Sequence, residues 1–234
     1  MLIKKLKKMK SRTSITRNLL IILFVSILIA GTSCKKEQQD DPITSVTDRN
    51  GNSYKVIVLD EKYWMAENLK STKTSSGSSI TIATSPVQWS TTTACCSWYA
   101  YNSTYTYYQD CGLLYNSEAM KKNPCPEGWR IPSSSEWNSM INSLGGTAVA
   151  GGKLKSTDNN AYWVNNVGAT NSSKFNAYGS GFSNNGNCLG YRSSAHYWTS
   201  DMSTREVAAN TTGVTIAAGS TSNGYSIRCI KDIE

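Results

Sequence analysis

Apolar positions along this chain form one continuous run near the N-terminus, several short alternating stretches, and one helical stripe. Leu19 to Ala30 is apolar apart from Ser26, and small residues Gly31, Thr32 and Ser33 follow it into Cys34. Ahead of it stand Lys4, Lys5, Lys7, Lys8, Lys10, Arg12 and Arg17, with no acidic residue. Basic, apolar and small segments in that order predict a secretory leader over residues 1–33. The run is shorter than the ~18–20 residues that span a bilayer as a helix. From Lys35 to Thr47 the chain is polar and without apolar period, so residues 34–47 read as a flexible tether.

Alternation begins after the turn signal Asp48-Arg49-Asn50-Gly51-Asn52. Ser53–Leu59 places Tyr54, Val56 and Val58 on one face and Lys55, Ile57 and Leu59 on the other, which predicts a strand with at least one buried side. Tyr63-Trp64-Met65 forms a second strand after a turn at Asp60–Lys62. Residues 71–85 are rich in Ser and Thr and read as a loop, and residues 116–122 allow a short helix. The strongest helical stripe is Trp137, Met140, Ile141 and Leu144, spaced i, i+3, i+4 and i+7. Ser133 and Glu136 form a capping box at its start, and Gly145-Gly146 ends it. Beyond it the pattern predicts short strands between Asn, Gly and Ser turns, the last over Gly224–Ile230.

Composition refines this picture. The net charge of +8 belongs largely to the leader, because removing its seven basic residues leaves 17 basic against 16 acidic. A balance of about +1 lacks the clustered positive charge that nucleic-acid binding requires. Some 200 remaining residues suit one domain. Thirteen Tyr and seven Trp against three Phe, with abundant Gly, Ser, Thr and Asn, predict short strands, many loops and an aromatic core. Six cysteines follow Cys34: Cys95, Cys96, Cys111, Cys125, Cys188 and Cys229. An even number in an exported chain reads as disulfides, with 15 possible pairings. One His and no CxxC pair give no metal-ligand set.

Candidate chemistry is sparse. Glu118, Glu127 and Glu136 are possible paired carboxylates, yet Glu136 already caps a helix. Any nucleophilic triad would depend on His196, the sole histidine. The Cys95-Cys96 pair reads as structural rather than redox-active. No catalytic residue, metal site or cofactor is therefore assigned. The most suggestive surface is Trp98, Tyr99, Tyr101, Tyr105, Tyr107 and Tyr108, whose flat rings with polar tips suit sugar or protein contacts. The competing expectation is that alternate rings pack on the sheet.

Two resemblances add to this reading. Cys34 resembles the lipidated cysteine of bacterial lipoproteins, with Gly31 where a Leu is commonest; the acidic residues following it resemble surface-export signals of Bacteroidota lipoproteins. The likeness implies a membrane anchor through Cys34 at the cell envelope, in the outer membrane and displayed at the surface. Asp48–Asn52 with Tyr54, then Trp64-Met65-Ala66-Glu67-Asn68-Leu69-Lys70, resembles the opening of the Fibrobacter succinogenes major paralogous domain. Gly112–Asn116, Cys125–Pro132, Ser135-Glu136-Trp137, Gly151–Lys155, Gly168–Asn171, Tyr197–Ser200 and Ser226–Cys229 continue the likeness in order, so residues 48–234 are read as that domain.

The Gly-Trp-Arg-Ile-Pro-x-x-x-Glu-Trp block also resembles a segment of C-type lectin-like and formylglycine-generating-enzyme-like folds. That implies an α+β domain: a small twisted antiparallel sheet, one or two short helices and long ordered loops, braced by disulfides. A Cys125–Cys229 bridge is implied by the same likeness, with the four further cysteines expected to brace loops. The paired sugar motifs of calcium lectins are absent, and Asp158-Asn159-Asn160 and Asn184-Asn185 offer oxygens but few charges. The expected function is a non-catalytic binding or adhesion domain for extracellular glycan or an envelope protein. An enzyme acting on polysaccharide or peptide would instead need a polar cleft. A structural envelope subunit would show an apolar patch or a free strand edge.

Overall fold

A computed structural model describes residues 42–158 and 161–233. The expected leader, the expected lipidation at Cys34 and the expected tether up to residue 41 lie outside the described residues. No helix among those described is long and apolar enough to cross a membrane.

Two sheets carry the domain. The first has four strands in the order β1-β2-β3-β13: β1 (Ser45–Thr47), β2 (Ser53–Leu59), β3 (Lys62–Met65) and β13 (Ile230–Asp232). β1 lies within the stretch read as tether, pairs antiparallel with β2, and Ile43 and Val46 pack on the core. The compact unit that holds both sheets therefore begins at Ile43. β2 and β3 pair with Leu59 opposite Lys62. Asp60 and Glu61 between them both take positive φ, 50° and 57°. Two left-handed turn residues match the right-handed twist of the strands they join.

Tyr54 and Val56 of β2 face one core, while Ile57 and Leu59 pack on another. Val58 is 54% exposed and Lys55 is exposed too, so neither face of the strand is buried along its whole length.

The second sheet has nine strands, with β8 (Asn187–Tyr191) on β7 (Ser180–Asn184) and the rest in the order β11-β10-β9-β7-β12-β6-β5-β4. Those are β4 (Thr81–Ile82), β5 (Cys95–Ser97), β6 (Leu114–Asn116), β9 (Ser194–Trp198), β10 (Ser203–Ala208), β11 (Val214–Ala218) and β12 (Asn223–Tyr225). β4–β5 and β7–β9 pair in parallel. One small antiparallel sheet was expected; two sheets, one of them mixed, are present.

Four short α-helices are described rather than one or two: α1 (Thr106–Cys111), α2 (Ser117–Lys121), α3 (Ser134–Ser143) and α4 (Ala150–Leu154). At α3, the Ser133 hydroxyl accepts from the Glu136 amide and the Glu136 carboxylate accepts from the Ser133 amide. At the other end, Gly146 N–H donates to Ile141 O and Gly145 N–H to Asn142 O, both at 2.9 Å. That double return closes a helix on a left-handed residue, and Gly145 at φ 102° tolerates it for want of a Cβ. α4 escaped the pattern because it contains Gly151 and Gly152, poor helix formers. Contact explains them: a Cβ on Gly151 would stand 2.0 Å from Gly213 O.

The expected last strand, 224–230, is split. β12 ends at Tyr225 in the large sheet and β13 starts at Ile230 in the small one. Residues between them cross over, with Leu69 N–H donating to Ile227 O and Met65 N–H to Cys229 O, each at 3.0 Å. One backbone stretch cannot serve two differently placed sheets as a straight strand.

The core is aromatic. Trp64, Trp137, Phe175 and Tyr197 meet mostly edge-to-face at centroid distances of 5.1–6.1 Å. Long loops surround it, and their buried carbonyls need donors. Three buried cations supply them without touching a carboxylate. Lys155 Nζ donates to the carbonyls of Val167, Ala208, Ala209 and Thr211 at 2.7–3.2 Å. Arg228 donates to Asn68 Oδ1 and to the carbonyls of Met65, Phe175 and Asn176. Arg205 donates to Ser203, Thr204, Ser134 and Asn138.

Cys125 and Cys229 are disulfide-bonded, tying the segment before α3 to the start of β13. Cys95, Cys96, Cys111 and Cys188, expected to brace loops, are instead free thiols. Register explains part of this. Cys95 and Cys188 stand in one cross-sheet row through Asn116, Gly224 and Ser183. Four strand spacings of ~4.8 Å put them roughly 19 Å apart along the sheet, well beyond the ~7 Å limit for a bridge. Cys95 and Cys96, adjacent on β5, point to opposite faces.

Candidate functional site

The aromatic stretch singled out in the sequence is a turn and a helix, not a strand. Tyr99–Tyr101 form a 3-10 turn in which Ala100 and Tyr101 take φ of 50° and 59°. Asn102 Oδ1 then accepts from the amides of Thr104 and Tyr105 at 2.9 and 3.1 Å and sets the entry to α1. On a helix of 3.6 residues per turn, neighbouring side chains diverge by ~100°. Tyr107 and Tyr108 accordingly go separate ways. Tyr108 meets Tyr105, one turn back, at 4.7 Å, and Tyr191 of β8 at 4.8 Å. Tyr107 meets Tyr105 at 5.4 Å and Tyr162 at 5.6 Å.

Tyr99 touches both Tyr108 and Tyr191 at 5.1 Å. Its ring lies over Gly181, where a Cβ would come within 2.8 Å of it. Tyr162 stacks on Tyr178 at 3.9 Å and donates its hydroxyl to Asp110 Oδ2 at 2.6 Å.

Seven tyrosines from separated stretches thus form one connected surface: Tyr99, Tyr105, Tyr107, Tyr108, Tyr162, Tyr178 and Tyr191. Tyr105 and Tyr107 are the most open, at 44% and 40% exposure. Burial raises the phenol pKa of Tyr99, Tyr108, Tyr162 and Tyr191, and brings Tyr178 to about 12. Those rings stay neutral hydrogen-bonding groups across physiological pH. The interplanar angles run mostly from 35° to 86°, with only Tyr162 and Tyr178 nearly parallel. The surface is therefore corrugated, and it presents ring edges and hydroxyls rather than one flat plane.

Two of the six residues expected there belong elsewhere. Trp98 packs against the core cluster that contains Tyr54, Met65 and Tyr115. Tyr101 joins Ala83, Trp89 and Cys95 in a separate apolar cluster and donates its hydroxyl to Gly186 O. Tyr162, Tyr178 and Tyr191 were missed. Their only mark in the sequence is the choice of Tyr over Phe within Asn- and Gly-rich stretches.

The acid–base candidates do not converge. Glu118 pairs with Lys121, Glu127 with Arg49, and Glu136 with Arg130. His196 has Ser194 Oγ at 3.1 Å and Glu206 Oε1 at 3.9 Å, both on the same nitrogen, Nε2. A triad needs the carboxylate and the nucleophile on opposite ring nitrogens. The ring packs against both Phe182 and Tyr225, and burial lowers its pKa to about 4. No group of three or more His, Cys, Asp or Glu among the described residues is placed to hold a metal.

No curated protein and no solved structure matches the chain. A protein-family comparison does match, over residues 57–231, from Ile57, the fifth residue of β2, into β13. That span includes the nine-stranded sheet, part of the small sheet, the disulfide and the tyrosine surface, and by it the chain belongs to the Fibrobacter succinogenes major domain family.

Proposed function

We propose that this chain is a cell-envelope lipoprotein, anchored through Cys34 at the outer membrane and displayed at the surface, whose domain is a non-catalytic binding or adhesion module. The ligand is an extracellular glycan or an envelope protein, met by the tyrosine surface. One observation carries this reading: three distant parts of the chain each contribute rings to one connected exposed surface. Tyr and Trp dominate contact surfaces because they offer large apolar area with a hydrogen-bonding tip at little entropic cost. We read the architecture as C-type lectin-like, supported by a helix opening on a capping box after Cys125 and by the bridge from Cys125 to the last strand.

The test is retention of the full-length chain, in detergent, on glycan arrays and on envelope extract, beside Tyr105→Ser/Tyr107→Ser. Specific retention by the wild type that falls at least tenfold in the variant supports the reading. Folded wild-type protein that retains nothing on either surface overturns it.

A further inference from the structure

β11 ends the nine-stranded sheet, and its outer edge differs from the domain's other edges. β4 and β1 are two and three residues long, β13 carries Lys231 and Asp232 with Arg130 bridged to Ile230, and the Tyr99–Tyr101 turn packs on β8. Such shortening, charge and covering are the usual means by which an edge is kept from pairing. β11 has five residues, all exposed after Val214, with Ile216 47% exposed. Between Glu206 and Arg228 the chain has neither a charged residue nor a proline.

Backbone parity shows which groups point outward. Gly219 N–H donates to Met202 O on the β10 side. In an antiparallel ladder this direction alternates, so Ala217 and Thr215 also face β10, and Val214, Ile216 and Ala218 face away. Val214 N–H already donates outward to Thr147 O at 2.8 Å. The peptide groups of Ile216 and Ala218 are left without a partner among the described residues.

We propose that β11 pairs antiparallel with β11 of a second copy of this chain, joining two nine-stranded sheets across a two-fold axis at Ala217. Ile216 then lies opposite Ala218 of the second copy, and Ala218 opposite its Ile216, so each free N–H and C=O is used. These two pairs exchange four backbone hydrogen bonds. The Ala217 pair sits on the axis in the closer, non-hydrogen-bonded position, where Cα atoms approach to about 4.5 Å. Alanine fits there, and Thr215 falls opposite glycine, Gly219. A large residue meets a small one at each hydrogen-bonded pair. A two-fold pair also sets each charge near its own copy, and this stretch carries none. That self-complementarity selects a second copy over an unrelated strand, and the interface is closed and isologous. The tyrosine surface plays no part in it.

The experiment is cross-linking of the full-length chain in its own envelope. Ala217→Cys places two thiols across the axis, and mild oxidation is expected to give a disulfide-linked dimer as the main species on a non-reducing gel. Adding Ile216→Lys is expected to reduce that dimer at least tenfold, and Val58→Cys, on the small sheet, is expected to remain monomeric. The proposal is overturned if Ala217→Cys stays monomeric while its thiol is reactive, if Val58→Cys cross-links equally, or if Ala217→Cys joins a different protein.

Discussion

The guanidinium of Arg228 lies 4.2 Å over the ring of Phe175 and donates to that residue's own carbonyl at 2.6 Å. One side chain thereby holds both the face and the backbone of a core residue 53 positions away. Burial lowers the Arg228 pKa, and no carboxylate touches the group, so neutral acceptors and a ring face offset its desolvation. Arg228→Lys keeps the charge but loses the fork that reaches Asn68, Met65 and Asn176 together. We expect a loss of about 2–4 kcal/mol in urea unfolding. A change below about 0.5 kcal/mol would show that the loops close without it.

Lys155 makes a sharper case, because its four acceptors come from two stretches of the chain, residue 167 and residues 208–211, both distant from Lys155 itself. Burial lowers its pKa to about 8, so the ammonium form persists at neutral pH. Lys155→Met fills similar volume but leaves four backbone carbonyls without that donor. The expected loss is about 3 kcal/mol or more. Hydrogen exchange should accelerate first at residues 167 and 208–211, and uniform acceleration would count against the knot.

His196 predicts an acid response. Its folded pKa of about 4 lies below the unfolded value of 6.5, so the unfolded chain binds the extra proton between them. The associated stability is complete above pH 6.5 and is lost as pH falls toward 4. The difference corresponds to roughly 3 kcal/mol. Among the described residues only Glu206, at 3.9 Å, offers a counter-charge, and burial raises its own pKa. His196→Gln should gain on the wild type by about 2–3 kcal/mol between pH 7 and pH 4. A pH-independent difference between the two would refute the assignment.

The free thiols differ in access. Cys95, Cys96 and Cys111 are buried, Cys188 only partly, and burial raises the pKa of all four. Reactivity follows thiolate content and exposure. Alkylation of native protein, read by peptide mass, should label Cys188 first and leave Cys96 and Cys111 unmodified until denaturant is added. Recovery of a disulfide containing Cys96 or Cys111 from the envelope would contradict this.

Local signals were legible where they act over a few residues. The capping box at Ser133 and Glu136, the glycine stop of α3 and the strand Ser53–Leu59 all stand where the pattern put them. Motifs in order along the chain were enough to suggest the family that residues 57–231 match. α4 was hidden because its glycines answer to a distant carbonyl, not to helix propensity. The split between β12 and β13 was hidden because it depends on which sheet each half joins.

The tyrosine surface shows the same division. A run of rings between residues 98 and 108 signals contact chemistry, since its composition alone gives flat faces and hydroxyls. Which rings turn outward depends on the helical phase at Tyr107 and Tyr108, and on Tyr162, Tyr178 and Tyr191 arriving from other loops. Short-range order follows from covalent geometry and nearest-neighbour hydrogen bonds, which the sequence specifies directly. Convergence of residues up to 92 positions apart, such as Tyr99 and Tyr191, follows from strand order and from buried cations tying loops together. Those are properties of the closed tertiary structure, because each depends on many contacts forming at once.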